Sequence, residues 1–301
     1  MSEQFILSCE STVDLPYSYV ESRNLPVLFY TYTVDGKEYP DDMGRNPTAL
    51  PRFYQFLANG KLPSTTQINT YSYEKFFDEL LQKGDVLHIA FGSGMTPSVR
   101  NAEAAAELLR QSHPDRKLIV LDSYCSSSGY GLLVDYAADL RDRGDSIEDV
   151  VAWVTAHRKS VHHQFFSTEL SHYRRSGRMS GPAAAVATIL NICPIMRLDD
   201  LGRIQAYDKV RGKKKAMERT VEVMERHAVH SVAYDGKCMI SYSNCPEEAE
   251  QMKMLIESRF SALAGKIKLC EIGTIIASHC GPGTVAVYFL GDERAPAGMP
   301  V

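Results

Sequence analysis

The sequence predicts an α/β fold in two parts, an N-terminal α/β domain built on a parallel sheet and a C-terminal α+β domain. Short apolar runs alternate with amphipathic stretches through the first half, which is typical of parallel strands covered by helices. The second half contains a hairpin pattern and longer helices. At 301 residues the chain exceeds the size at which one hydrophobic core usually stops growing. We expect domains at 1–165 and 166–291 and a loose tail at 292–301.

The first half alternates strands and helices. Four apolar runs predict buried strands at 5–9, 27–32, 86–91 and 118–121. One helix is expected to begin at Asn46-Pro47, and four others are expected at 73–82, 101–110, 130–143 and 146–157. Ser146 and Asp149 form a capping-box pattern at the start of the last helix. Ligand loops are therefore expected at the carboxyl ends of the strands.

The second half mixes hairpins and helices. After a strand at 164–167 we expect a polar turn at Gly177 and a small-residue helix at 183–190. Asp199-Asp200-Leu201-Gly202 is a turn signal that joins strands at 194–198 and 203–210. The remaining elements are helices at 213–227 and 247–260 and strands at 239–242, 268–272 and 285–290.

Composition excludes several classes of protein. The 33 basic residues are outnumbered by 37 acidic ones, which gives a net charge of -4 and argues against broad nucleic-acid binding. The seven cysteines are scattered and form no Cys-x-x-Cys pair, so we expect reduced thiols in a cytoplasmic protein. Apolar runs stay short of the ~18 residues that a membrane span needs, and no basic-apolar leader pattern is present.

Three polar clusters are rich in hydroxyl groups, at 63–69, 92–98 and 122–129. The second follows a predicted strand and precedes a helix, where backbone N–H groups and hydroxyls can receive an anion. The third has the same topological position. A surface loop is the alternative for the first cluster, and a helix cap is the alternative for the third.

His279 lies in a segment whose neighbours restrict the backbone. Gly281 and Gly283 permit close approach or positive φ, and Pro282 stiffens the turn. Apolar flanks indicate a loop between buried elements, so we expect His279 to face a ligand from that loop. A structural histidine is the alternative.

Motifs of common catalytic machinery are absent from the sequence. It contains no Gly-x-x-x-x-Gly-Lys phosphate loop, Gly-x-Gly-x-x-Gly fingerprint, His-Glu-x-x-His or Gly-x-Ser-x-Gly. His162 and His163 point to opposite faces if they lie in a strand, so we expect no metal site there.

Basic residues concentrate in the second half. They are Arg174, Arg175, Arg178, Lys209, Arg211 and Lys213-Lys214-Lys215. In an acidic chain this predicts a local positive surface for an acidic partner or a phosphate group. A solvated face is the alternative.

The order of these motifs resembles the DegV family of bacterial fatty-acid-binding proteins, over about residues 4–290. The shared motifs are Ser8-Cys9-Glu10-Ser11-Thr12-Val13-Asp14-Leu15-Pro16, Ser64-Thr65-Thr66-Gln67, a polar loop ending near Ala102, Asp122-Ser123, Arg174-Arg175-Ser176-Gly177-Arg178-Met179-Ser180, Lys209-Val210-Arg211-Gly212 and His279-Cys280-Gly281-Pro282-Gly283. Each motif is weak alone, and their order and spacing together are specific.

The resemblance implies that the two domains enclose a fatty acid whose carboxylate is bound by Thr65, Thr96 and His279. This chain departs from the family pattern at Met95-Thr96-Pro97-Ser98, and it has Ile68 where proline is usual. Additional candidates for carboxylate binding are Thr66, Ser93, Ser98 and Gly281.

The resemblance also implies a carrier subunit rather than an enzyme, without cofactor or metal, that presents a long-chain fatty acid to a separate ATP-dependent fatty acid kinase. Partner docking is then expected at Arg174, Arg175, Arg178, Arg211 and Lys213. Such a carrier is compatible with transient membrane contact and binds no nucleic acid. The alternatives are a small-molecule enzyme related to dihydroxyacetone-kinase-like domains, with His279 on its substrate, and a lipid sensor without a kinase.

Overall fold

The computed structural model describes residues 5–178 and 192–299. The helix predicted at 183–190 and the Met179-Ser180 end of the arginine motif lie outside these ranges. Within them the predicted fold class is confirmed: a parallel α/β part is followed by a part built on a mixed sheet.

The first part carries a parallel sheet of order β2-β1-β6-β7 and a small antiparallel sheet of order β4-β3-β5. Its elements are β1 (Ile6–Glu10), α1 (Tyr17–Ser22), β2 (Val27–Leu28), β3 (Thr31–Val34), β4 (Lys37–Pro40), α2 (Ala49–Ala58), β5 (Ser64–Thr66), α3 (Thr70–Leu81), β6 (Val86–Ala90), α4 (Ser98–Ser112), β7 (Leu118–Asp122), α5 (Ser127–Asp142) and α6 (Ile147–His157). The capping box of Ser146 and Asp149 is confirmed at the start of α6.

The second part carries a six-stranded sheet of order β10-β9-β8-β13-β11-β12, in which the pair β11–β12 is parallel and the other pairs are antiparallel. Its elements are β8 (Val161–Ser167), α7 (Ser171–Ser176), β9 (Ile192–Leu198), β10 (Ile204–Arg211), α8 (Lys213–His227), β11 (Cys238–Tyr242), α9 (Pro246–Arg259), β12 (Lys268–Glu271), α10 (Thr274–Cys280) and β13 (Thr284–Leu290).

Two faces of the six-stranded sheet bury two different cores. Met196, Met239 and Tyr288 face the first part and join its continuous hydrophobic cluster. Ile240 and Phe289, which are neighbours of two of these in sequence, face α8 and α9 and join a second cluster. This alternation follows from the two-residue period of a strand, and it buries the sheet on both sides.

Three expectations differ from the structure. The strand predicted at 27–32 is divided, because β2 pairs with the parallel sheet while β3 pairs with the small one. The six-stranded sheet begins at Val161, before the predicted boundary at residue 165. Residues 293–299 are anchored rather than loose, since the buried Arg294 guanidinium donates to the carbonyl oxygens of Val161 and Tyr124 at 2.9 and 2.8 Å.

Helix α5 packs between the two larger sheets and contacts β1, β8, β11 and β13. Gly129 in its first turn allows this approach. A Cβ atom there would stand 2.3 Å from Nε2 of His163 and 2.6 Å from the Tyr288 ring. No helix in residues 5–178 and 192–299 is both long enough and apolar enough to cross a bilayer.

We therefore expect Gly129→Ala to lower the free energy of unfolding by roughly 1 to 3 kcal/mol, because the added methyl overpacks the contact between α5 and the sheet. In an unobstructed helix the same change would stabilise by about 1 kcal/mol. Chemical denaturation measures the difference. Gly84→Ala is the matched control, since its added Cβ would meet Ile6 at an ordinary 3.9 Å. Equal stability of the two variants would contradict the packing role.

Candidate ligand-binding site

A cavity of about 330 Å³ lies between the carboxyl end of the parallel sheet and the six-stranded sheet, with α10 along one side. Its lining is mostly apolar, and this volume is typical of a site for a small molecule. Apolar and aromatic side chains that form the walls include Tyr30, Phe91, Phe165, Leu198, Ile272 and Ile275. Polar groups stand at a few places, notably Thr65, Thr96, Arg178 and His279.

Thr65 and His279 meet at one side of this cavity. Thr65 is the central residue of β5, and His279 is in the last turn of α10. Thr65 Oγ1 and His279 Nε2 share a hydrogen bond of 2.8 Å, although 214 positions separate them in the chain. Two of the residues singled out from the sequence are thus direct neighbours.

The expectation that His279 lies in a loop was wrong. Residues 274–280 form a helix that ends at Gly281, whose φ of 67° stops it. Ile272, Ile275, Ile276 and His279 all line the cavity. Ile275, Ile276 and His279 are spaced three and four residues apart, which is the helical signal that the glycine-rich sequence after His279 obscured.

The environment of His279 keeps its imidazole neutral at pH 7. Burial, together with the nearby charges of Arg178 and Arg175, lowers its pKa from 6.5 to about 4. Its Nδ1 atom is buried and has no hydrogen-bond partner among the described residues. A neutral imidazole beside a threonine hydroxyl can donate one N–H bond to an anionic or carbonyl oxygen.

The other predicted hydroxyls divide into two groups. Thr66 and Thr96 line the cavity. Ser93 is exposed and lies outside the lining, and the buried Ser98 hydroxyl is hydrogen-bonded to the Tyr73 hydroxyl at 2.9 Å. Gly281 ends α10 and its carbonyl oxygen accepts a hydrogen bond from Ser243.

The basic residues expected to dock a partner also divide. Arg178 lines the cavity, and Arg175 donates to the carbonyl oxygen of Ser278 at 3.3 Å. Arg174 is exposed. Arg211 is exposed at the end of β10, and Lys213 forms an ion pair with Glu248.

Strand register places Arg211 and helix α7, which carries Arg174, at the same end of the six-stranded sheet. Arg211 pairs with Ile192 at the start of β9, and β9 is antiparallel to β8, so this is the end of the sheet at which β8 finishes with Ser167. Ser167 pairs with Thr284, which also lines the cavity. Helix α7, which carries Arg174, begins four residues after Ser167. The docking role remains a prediction, and Arg178 has a position that suits ligand binding as well.

Sequence reasoning missed part of the inner lining. His163 and Phe165 on β8, and Thr284, Ala286 and Tyr288 on β13, face the cavity at alternate positions. The two-residue period of each strand was the available signal.

The expected opposite orientation of the two adjacent histidines is confirmed. His163 lines the cavity, whereas His162 is hydrogen-bonded to the Asp292 carboxylate, which also contacts His227.

The charge of Arg178 should be visible in the titration of His279. We expect Arg178→Gln to raise the pKa of His279 above its value of about 4, because a neighbouring positive charge that opposes protonation is removed. Arg174→Gln is the matched control, since Arg174 is absent from the charges that depress this pKa. NMR titration of the His279 ring measures both. A larger shift in the Arg174 variant would show that the cavity charges are assigned wrongly.

Comparisons with known proteins agree with this architecture. The family model described as uncharacterised protein of the DegV family matches residues 6–292. A DegV domain-containing protein of Clostridium perfringens is 32% identical over 295 residues, covering 98% of this chain and 100% of the relative. A fatty-acid-binding DegV family protein of Thermus thermophilus is 27% identical with a TM-score of 0.81, over 96% of this chain and 99% of that one.

A more distant solved structure shares the fold. The fatty acid kinase B3 protein of Streptococcus pneumoniae, loaded with linoleic acid, has a TM-score of 0.81 at 19% identity, covering 96% of this chain and 100% of that one. Because the family model spans nearly all of the sequence, and the Clostridium relative matches it end to end, the chain belongs to the DegV family.

Proposed function

We propose that this protein binds a long-chain fatty acid in the cavity, with the carboxylate at Thr65, Thr96 and His279, and presents it to a separate ATP-dependent kinase. The observation that carries the proposal is the contact of Thr65 with a neutral His279 at the side of a mostly apolar cavity. The solved relative from Thermus thermophilus, which binds fatty acid, supports the same ligand class.

The energetics of the cavity suit an amphipathic ligand. An acyl chain of about 15 methylenes gains on the order of 12 kcal/mol on burial, from which ordering costs are subtracted. The carboxylate needs hydrogen-bond donors once it leaves water. Thr65 and Thr96 hydroxyls, the His279 imidazole and the positive charge of Arg178 line the same cavity and supply them.

A carrier role suits the chemistry of His279 better than general-base catalysis. A base works best when its pKa lies near the operating pH, and the pKa of His279 is depressed to about 4. At pH 7 this imidazole is a weak base and a good neutral donor. The phosphoryl transfer is therefore assigned to a partner, as the family resemblance implies.

The basic residues provide a surface for that partner. Arg174 and Arg211 are exposed at the end of the six-stranded sheet where Thr284 lines the cavity. A kinase must bring nucleotide phosphates to the ligand carboxylate at this end, so positive charge there favours its approach. A lipid sensor would use the same cavity without this surface.

The head-group residues can be tested by direct binding. We expect Thr65→Ala, Thr96→Ala and His279→Ala each to weaken binding of a C16–C18 fatty acid by roughly 1 to 3 kcal/mol, about 5- to 150-fold, because a buried carboxylate loses a donor. Calorimetry measures the affinity, and extraction of the purified protein identifies bound acid. Ser93→Ala is the matched control, because Ser93 lies outside the lining.

The affinity for the methyl ester of the same acid distinguishes the contribution of the carboxylate from that of the acyl chain. It should bind wild type more weakly than the free acid, and the three alanine variants should bind it like wild type. Equal affinity of wild type for acid and ester would show that these residues do not bind a carboxylate. Absence of any fatty acid binding would remove the carrier proposal, and turnover of a small carbonyl compound would favour the enzyme.

The docking surface has its own test. We expect Arg174→Glu and Arg211→Glu to slow fatty acid phosphorylation by the cognate kinase several-fold at low salt, with fatty acid affinity unchanged. Raising the salt should slow the wild type towards the variants. Lys83→Glu is the control, since Lys83 is exposed beside Phe5 and Ile6, where the parallel strands begin. Wild-type rates in both arginine variants would favour the lipid sensor.

A further inference from the structure

Helix α10 is held at its first residues by two buried carboxylates from the first part of the chain. Asp14 Oδ1 accepts the backbone N–H of Gly273 at 3.0 Å. Asp41 Oδ1 accepts the N–H of Thr274 at 3.0 Å and its hydroxyl at 2.8 Å. Asp14 and Asp41 are 4% and 2% exposed, so both carboxyl groups were taken out of water to make these contacts.

The two carboxylates connect α10 to different neighbours. Asp41 directly follows β4 of the small sheet, whose strand β5 carries Thr65. Asp14 also accepts a hydrogen bond from Ser127, at the start of α5. Helix α10 packs against β3 and β5. It is therefore tied to the same small sheet at both ends, by Asp41 at its start and by Thr65 at His279.

Gly273 is adapted to this contact. A Cβ atom there would stand 2.7 Å from Asp14 Oδ1 and 3.0 Å from Asp41 Oδ1. The absence of a side chain is what allows two carboxylates to reach one helix end. An ordinary helix cap needs only one acceptor, so the close approach of two carboxylates is more than capping requires.

We propose that Asp14 and Asp41 are positioning residues for His279, which fix the orientation of α10 and so the place of the imidazole beside Thr65. The inference rests on the proposed function, because it takes His279 to bind the ligand head group. Seven residues of helix span about 10 Å, so a tilt of about 10° at Gly273 displaces the other end by about 2 Å. That displacement is enough to break the hydrogen bond between Thr65 and His279.

Burial makes both carboxyl groups harder to ionise. It raises the pKa of Asp14 well above its usual value, with the Asp41 charge adding to this, and it raises the pKa of Asp41 to about 6. Asp41 Oδ2 is buried without a hydrogen-bond partner in the described part of the chain. An amide at residue 41 keeps the acceptor oxygen for Thr274, whereas alanine removes it.

The test compares Asp41→Ala with Asp41→Asn. In the alanine variant we expect the NMR pKa of His279 to rise from about 4 towards 6.5, because the displaced ring is hydrated. Fatty acid affinity should fall roughly tenfold, with methyl ester affinity unchanged. The asparagine variant should retain both wild-type values. Gly273→Ala, which displaces the carboxylates sterically, should have the same effects as Asp41→Ala. It replaces Asp41→Ala in the test if that variant does not fold.

Asp135→Ala is the matched control for loss of a buried carboxylate that joins the two parts. Asp135 is buried and pairs with Lys237 rather than with α10. We expect it to lower stability and leave the pKa of His279 unchanged.

The positioning role is overturned if Asp41→Ala and Gly273→Ala fold and keep the wild-type pKa of His279, or if Asp135→Ala shifts it equally. If His279→Ala leaves fatty acid affinity unchanged, the proposed function fails, while the pKa shift still judges the positioning role.

Discussion

The contact between Thr65 and His279 depends on helix α10 being buried between two parts of the chain. A short helix has little stability of its own, because the first turn costs more than it returns. Here the helix is fixed by its apolar face, by backbone N–H groups bound to Asp14 and Asp41, and by the hydrogen bond at His279. These three kinds of contact together hold the helix that forms this wall of the cavity.

Burial also determines the chemical character of the cavity. An imidazole in water is partly protonated near pH 6.5, but the pKa of His279 falls to about 4 because burial and the charges of Arg178 and Arg175 oppose protonation of the ring. A bound carboxylate would reverse part of this effect, since a negative charge beside the ring favours protonation. At neutral pH the imidazole of His279 is therefore an uncharged group in the wall of the cavity.

Because the pKa of His279 is lower in the folded chain than in the unfolded chain, the free energy of unfolding depends on pH. In the unfolded chain His279 takes up a proton near pH 6.5, whereas in the folded chain it does so only near pH 4. Between these values the unfolded state binds more protons, so the contribution of His279 to stability is present above about pH 6.5 and is lost as the pH falls towards 4. Removing the histidine should remove this part of the pH dependence.

The sequence predicts elements whose stability is local and misses those that depend on distant partners. Helix α8 was predicted at 213–227 with the bounds that it has, because its polar and apolar faces are regular. The strands of the parallel sheet were found from continuous apolar runs. Strand β5 has three polar residues and pairs with β3 more than 30 positions away, so its loop-like composition concealed it.

The candidate site shows the same division at the level of single residues. Thr65, Thr96 and His279 were named from their motifs, and the structure places them around one cavity. Asp14 lies in one of those motifs, but no role was predicted for it, and Asp41 lies in none of the motifs. Both act through backbone N–H groups of residues more than 230 positions away. Side-chain chemistry can be read from sequence, whereas the groups that hold a helix in place are defined by tertiary contacts, and in this cavity both are needed to set one hydrogen bond.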